Sequence, residues 1–369
     1  MKNNCFGTLY LYELKKIFKS KAAIITFFIL LIMAVVFGEN EVSSNADAKL
    51  QIELQKIDGR KIDDTHLDEL KKENNYSVET YKGVTRWVED ILGDDKIPDD
   101  LTVEKLGQIR KDGIKEAKEL LYLTQGEYDY WDKKEVDLPD IWQDTLKSEG
   151  YVYGAKDMFL LAVLFLIPMG LAGVFAAEYQ KNTDSLIKVS RNGNKRTYYA
   201  KVLAGMTFGV AGTMIIIGSM VGYMVIRFGT MSLNTQILLI YPFASVYMTV
   251  KELLFRMCGL ILTGCAMLSA MILFLSQALK NALSVMGVSF GMWFLNAIVD
   301  SAVPGKYRFL SQFFHMLPYS AVDGNMVYEY RLVCVFGKYF TIYEFAPFMY
   351  ILFAIIFVVA GRIIYGKQR

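Results

Sequence analysis

Apolar residues gather in six long runs, and the stretches between them are largely polar. The runs cover 22–37, 157–178, 202–226, 257–276, 282–299 and 345–365. A helix needs about 20 mainly apolar residues to cross a hydrocarbon core of about 30 Å. Each run therefore predicts one transmembrane helix, and the six together predict an all-α integral membrane protein. The first run is short, but Ser20 and the snorkelling side chains of Lys19 and Lys21 can extend it, as Arg362 does near the end of the last run. Val35-Val36-Phe37-Gly38-Glu39 offers no small-x-small cleavage site, which predicts a retained helix rather than a signal peptide.

Ahead of the first run the pattern becomes amphipathic. Tyr10, Leu14, Ile17 and Phe18 recur at helical spacing, while Glu13, Lys15, Lys16 and Lys19 take the other face. This predicts an interfacial elbow helix within 1–21; the same residues also read as the start of the first span. Residues 38–156 form a polar block with helix-forming stretches at 46–57, 67–74, 80–92 and 103–124, broken at Gly59, Gly93 and Pro98. The block ends in an aromatic segment with Tyr128, Tyr130, Trp131, Trp142, Tyr151 and Tyr153. Those rings read either as ligand anchors or as the core of a small domain with an interfacial belt, and the second reading is favoured because such rings are expected beside spans.

Two further patterns bear on packing. In the third span, Gly205 and Gly209, then Gly218 and Gly222, are spaced four apart, which lets another helix approach closely. Residues 300–344 are not simply polar: Phe309, Phe313, Phe314, Met316, Leu317 and Pro318 form an apolar cluster. That stretch, with 238–250, reads as helix dipping back against the bundle, because backbone at membrane depth must be satisfied by protein or water. His315, a lone histidine among aromatics, reads as a hydrogen-bonded packing residue.

Charge adds an orientation. Residues 38–156 hold 18 Lys/Arg and 29 Asp/Glu, a balance of −11, although the whole chain is +2. The rest of the chain, with 40 − 18 = 22 basic and 38 − 29 = 9 acidic residues, is +13. The basic excess hugs the ends of apolar runs, so it marks membrane topology and not nucleic-acid binding. Fifteen Lys/Arg fall on the side of the two termini and seven in the opposite short loops. The positive-inside rule then predicts both termini on the cytoplasmic side and 38–156 outside. None of Cys5, Cys258, Cys265 and Cys334 lies in the outer block, so no disulfide framework is expected there.

The chemistry of enzymes is missing from the sequence. There is no Gly-x4-Gly-Lys-[Ser/Thr] loop for nucleotide, no His-Glu-x2-His or Cys-x2-Cys for metal, and no Gly-x-Ser-x-Gly. Cofactor, metal and catalytic residues are thus expected to be absent. The span interiors are nearly free of charge, with Asp157, Glu178 and Asp300 at their ends. A proton- or ion-coupled carrier would place a carboxylate inside, so the sequence points to an energy source outside this chain.

The order of parts is then informative. A short basic amphipathic helix precedes the first span, and a large outer loop follows it. The second span ends in Glu178 and leads into a basic loop, 179–201, reading YQKNTDSLIKVSRNGNKRTYYAK. Three spans follow, then a segment with MLPYSAVDG, a last span and a basic tail, 366–369. This resembles the ABC-2 family of ABC transporter permeases, the six-span subunits of type V exporters, in the Gram-positive style with an enlarged first outer loop. Glu178, Ser190-Arg191 and Lys201 match the family's acidic residue, Ser-Arg turn and Lys in order. The resemblance implies a permease that exports an amphipathic, peptide-like, antibiotic-like or lipid-like substrate. It implies as partners a cytoplasmic ATPase subunit that carries the ATP and Mg, a second permease copy or related chain, and membrane lipid. It also implies that the loop docks on the ATPase, with Glu178, Asp184, Leu186, Ile187, Ser190 and Arg191 as its coupling residues. A membrane-anchored sensor or assembly factor with an outer receptor domain is the alternative.

Overall fold

The computed structural model describes residues 5–44, 59–72, 82–93, 97–134, 139, 141–142, 146–183, 195–322 and 327–367. Its helices are α1 (Cys5–Phe18), α2 (Lys21–Ser44), α3 (Asp64–Lys72), α4 (Lys82–Leu92), α5 (Val103–Leu120), α6 (Gln125–Asp132), α7 (Leu146–Leu161), α8 (Ile167–Leu171), α9 (Gly173–Gln180), α10 (Lys195–Phe228), α11 (Ile237–Ile240), α12 (Val250–Leu279), α13 (Ala282–Ala302), α14 (Arg308–His315), α15 (Pro318–Val322) and α16 (Ile342–Lys367). Six segments are long and apolar enough to cross a membrane: Lys21–Asn40, Gly150–Gln180, Lys195–Arg227, Val250–Leu279, Ala282–Val299 and Ile342–Gly366. These match the six predicted runs, and among the described residues the membrane protein is helical apart from one small hairpin.

Local chemistry sets the boundaries. Thr249 opens span 4 with a capping box, its backbone N–H donating to Glu252 at 2.9 Å while its side chain accepts from Glu252 N. Asn281 caps span 5 by accepting from Leu283 N and Ser284 N. Lys280 takes the left-handed conformation, φ 56°, which turns the chain between these two spans without a longer loop.

The bundle has two ends. Helix α1, the ends of spans 2 and 6 and the start of span 3 share one of them, here the terminus end. The polar block and the connections between spans 3 and 4 and between spans 5 and 6 share the other, the domain end. At the domain end three buried polar side chains reach backbone carbonyls across the chain. Trp87 Nε1 donates to Leu238 O at 2.8 Å, Arg110 Nε to Pro242 O at 2.6 Å and Trp131 Nε1 to Tyr330 O at 2.6 Å. Buried Glu127 accepts from the Arg308 guanidinium, from Leu332 N at 2.6 Å and from Thr124 N at 2.7 Å. Burial alone would push that carboxyl up; the Arg308 bond and the two backbone bonds outweigh it and hold it below its ordinary range.

Trp87 and Trp142 meet edge-to-face with centroids 5.9 Å apart and close a small core with Leu67, Ile91 and Leu106. Trp131, Trp142 and Tyr151 are buried, Tyr128 and Tyr130 half-buried, and Tyr153 exposed. The aromatic segment is therefore mainly packing and clamp.

Several expectations need correcting. The segment 103–124 is not one helix: Tyr122 has φ 53°, and Thr124 with Glu127 starts α6. Spans 2, 3 and 4 run several residues beyond their apolar cores, so 195–201 of the predicted loop is helical. Val333–Val335 (β1) and Lys338–Phe340 (β2) form an antiparallel hairpin through Phe336-Gly337, both with positive φ, which suits a tight two-residue turn. Finally, only the first glycine pair packs: a Cβ on Gly205 would lie 2.8 Å from Leu273, and one on Gly209 would strike Ser269, both on span 4, whereas Gly218 and Gly222 face open space. Helix α14 packs on span 5 and α15 on spans 4 and 5, whereas 238–250, also expected as helix, is helical only in α11 before span 4 begins.

Candidate functional site

Span 2 is the one irregular span among those described, and its sequence explains why. Pro168 has no N–H, and its ring crowds the carbonyl four residues earlier. The helix widens into a π turn at Ala162–Leu166 just before it. One turn later it breaks at Ala172, between α8 and α9. Ser276 of span 4 fills this break. Its Oγ accepts from Phe175 N and Ala176 N, both at 3.1 Å, and donates to Ala172 O at 2.6 Å. In an unbroken helix those two N–H groups would bond to Leu171 and Ala172 carbonyls. A side chain inserted into that ladder is a known cause of a kink. Ser276→Ala strands both N–H groups in an apolar setting and is expected to cost about 1–3 kcal/mol, read by thermal unfolding in mild detergent.

The short helix beyond the break, α9, ends on a buried ion cluster. Glu178 is 7% exposed. Its carboxylate accepts from the Lys201 ammonium of span 3 and from Lys16 Nζ of α1 at 2.7 Å. Lys16 also lies 3.7 Å from buried Glu13. Lys201 is fully buried at 0% exposure, with its ammonium 5.2 Å from the Phe175 ring centroid. The four charges sum to zero, and the four residues come from three elements. Burial lowers the affinity of Lys16 for its proton, yet the Glu178 bond and the Glu13 and Glu178 charges outweigh it and hold the ammonium above its ordinary range.

An aromatic collar surrounds the cluster. Phe175, Tyr198 and Tyr365 of spans 2, 3 and 6 meet with centroids 5.5–6.0 Å apart, and Tyr198 OH donates to Val358 O at 2.6 Å. Helix α1 lies alongside span 3 and is separated from span 1 by a break at Lys19-Ser20. Its stripe faces protein: Ile17 is buried, Tyr10 and Leu14 are half-buried, and Tyr10 OH donates to Thr207 Oγ1 at 3.2 Å. Phe18 is about half exposed, with one edge on Phe208. The expectation that Glu13 lies on the opposite, solvated face is overturned, since it is buried, whereas Lys16 stays partly exposed while its ammonium reaches in to Glu178.

Comparison with known proteins found no matching family model, no matching curated protein and no matching solved structure. The site is read from its own chemistry. Of the residues expected in the coupling loop, Glu178 lies in the cluster; Asp184, Leu186, Ile187, Ser190 and Arg191 fall outside the described residues. The sequence missed Ser276, whose hydroxyl in an apolar run gave no signal of where it pointed. It also missed Glu13 and Lys16 as network members. The arrangement holds no nucleophile with a base beside it. It combines a spliced break, a short helix and a buried ion cluster at the end of span 2.

Proposed function

We propose that the chain is the membrane subunit of an ABC-2-type exporter, moving an amphipathic substrate with ATP hydrolysed on a separate cytoplasmic ATPase. The observation that carries this reading is the joint at the base of span 2. A loop that receives force from a soluble partner needs a stiff attachment and a nearby pivot. Glu178, held by Lys16 and Lys201, supplies the attachment, and the Ser276-spliced break supplies the pivot. In this reading the terminus end is cytoplasmic, α1 lies in the inner interface, and the loop 179–201 docks on the ATPase.

Span 5 supports the pairing of two such subunits. Leu283, Phe294, Leu295 and Ile298 leave one face of it open, and a second permease copy or a related chain would cover that face. The polar block would stand outside and gate exit or receive a partner.

A mild-detergent pull-down of the tagged chain from its native membrane, with mass spectrometry, tests the reading. Near-stoichiometric recovery of a P-loop protein is expected. Replacing Asp184 and Leu186 together should then cut export at least tenfold while leaving the amount of membrane-inserted chain unchanged. Recovery of no ATPase under crosslinking would overturn the proposal and favour a membrane-anchored sensor.

A further inference from the structure

The polar block is acidic overall, yet among the described residues the charged side chains of one groove in it are mostly cations. Helix α5 sorts its charges by face. Lys111, Lys115 and Lys118 follow one another at i, i+4 and i+7, while Asp112, Glu116 and Glu119 repeat the spacing one residue on, about 100° around the helix. The lysine face borders a hollow of about 320 Å³ that buried Arg110 and Lys134 also line, with Trp131 and Tyr330 among its walls. Asp132 is its one carboxylate among the described residues, 3.6 Å from Lys118.

A second hollow of about 400 Å³ shares Trp131, Lys134 and Ser245 with the first and adds Arg256 and Glu344. Arg256 lies in the second turn of span 4, and Glu344 in the first turn of span 6. The two hollows thus make one groove that runs from the helical block to the ends of two spans. Among the described residues six cations and two carboxylates line it, and Arg110 and Lys111 have further partners of their own.

We infer that this groove binds a phosphate-bearing group, with the headgroup of an anionic lipid as the source that its position favours. Lysine ammoniums are compact point charges on flexible stems, which suit an oxyanion of varied orientation, and arginine adds a planar fork. Each hollow has the size of a small ligand site. The groove's lower end meets spans 4 and 6 where headgroups lie. The inference does not depend on an ATPase partner.

The test uses the full chain in neutral detergent, with short-chain phosphatidic acid, short-chain phosphatidylcholine and inorganic pyrophosphate as probes. Binding is read by thermophoresis and by intrinsic tryptophan fluorescence, to which Trp131 in the groove wall contributes. The anionic lipid should bind, and added salt should weaken it, since exposed charges are screened within about 10 Å at 0.1 M. The triple variant K111Q/K115Q/K118Q should weaken binding by about tenfold or more. The single variant Lys115→Gln should give a smaller loss in the same direction, and Lys133→Gln, outside the groove, should bind as the unaltered protein does. Pyrophosphate that binds equally well and competes supports the site with free phosphate as its source; binding of the lipid alone assigns it to a headgroup. Equal binding of the anionic and zwitterionic lipids, no binding, or unaltered binding by a folded triple variant would overturn the inference.

Discussion

Glu178→Ala is expected to destabilise the protein by about 3–5 kcal/mol, far more than the loss of a surface ion pair. The reason lies with the partner left behind. Lys201 is fully buried, so removing the carboxylate strands an ammonium among Phe175 and the aromatic collar. Lys16 loses its bond too, but it is partly exposed and can turn to water. The asymmetry gives a sharper test than the single variant. Lys16→Gln should cost little, about 1 kcal/mol or less. The double variant Glu178→Leu with Lys201→Met removes both buried charges and should recover most of the lost stability, since apolar replacements of buried pairs are often neutral or stabilising. Thermal unfolding of the four proteins in one detergent checks the series. If the double variant is as unstable as Glu178→Ala, the pair is not the source of the loss. Under the proposed function the double variant should also be stable yet poor at export, because the attachment is gone while the fold is kept.

The parts legible in the sequence were those governed by local rules. Apolar run length located all six spans, because the bilayer sets that length whatever the helices pack against. Glycine and proline marked breaks that the backbone obeys, as at Gly59 and Gly93 with their positive φ. Positions whose role depends on a distant partner were not legible. Ser276 looks like any small polar residue in a span until span 2 is brought beside it. Glu13 and Lys16 look like a solvated helix face, since periodicity tells which residues share a face but not what covers it. Gly205 and Gly218 begin identical motifs, yet only the first meets a neighbouring helix. The hairpin at 333–340 escaped because its strands are three residues each, too short for a period to emerge.

Arg331→Leu should produce a loss of similar size at the other end of the bundle, with a signature in pH. Arg331 is buried, and it donates to Glu329 through Nε at 2.7 Å and a terminal nitrogen at 2.6 Å, and to Ser311 Oγ at 3.0 Å. His315 Nδ1 lies 3.3 Å from the same carboxylate. Burial would raise the Glu329 pKa, but the Arg331 bonds and charge, with His315 beside them, hold it down at about 2. An unfolded glutamate titrates near pH 4.3. In the unaltered protein this carboxylate therefore contributes stability, up to about 3 kcal/mol, that is complete above pH 4.3 and is lost as pH falls toward 2. From pH 8 to 5 its contribution is flat. Arg331→Leu reverses the sign. With the guanidinium gone, burial dominates and the folded carboxyl takes up a proton more readily than the unfolded one. The variant should be about 3–5 kcal/mol less stable at pH 8 and should recover part of that loss as pH is lowered to 5. Arg331→Lys should not restore the wild-type profile, because one ammonium cannot fill the two-pronged geometry and reach Ser311 as well. The difference in unfolding free energy between variant and wild type, followed from pH 8 to 5, cancels the distant acidic groups and leaves Glu329 with its neighbour His315. A difference independent of pH would mean that Arg331 acts through packing and not through the charge of Glu329.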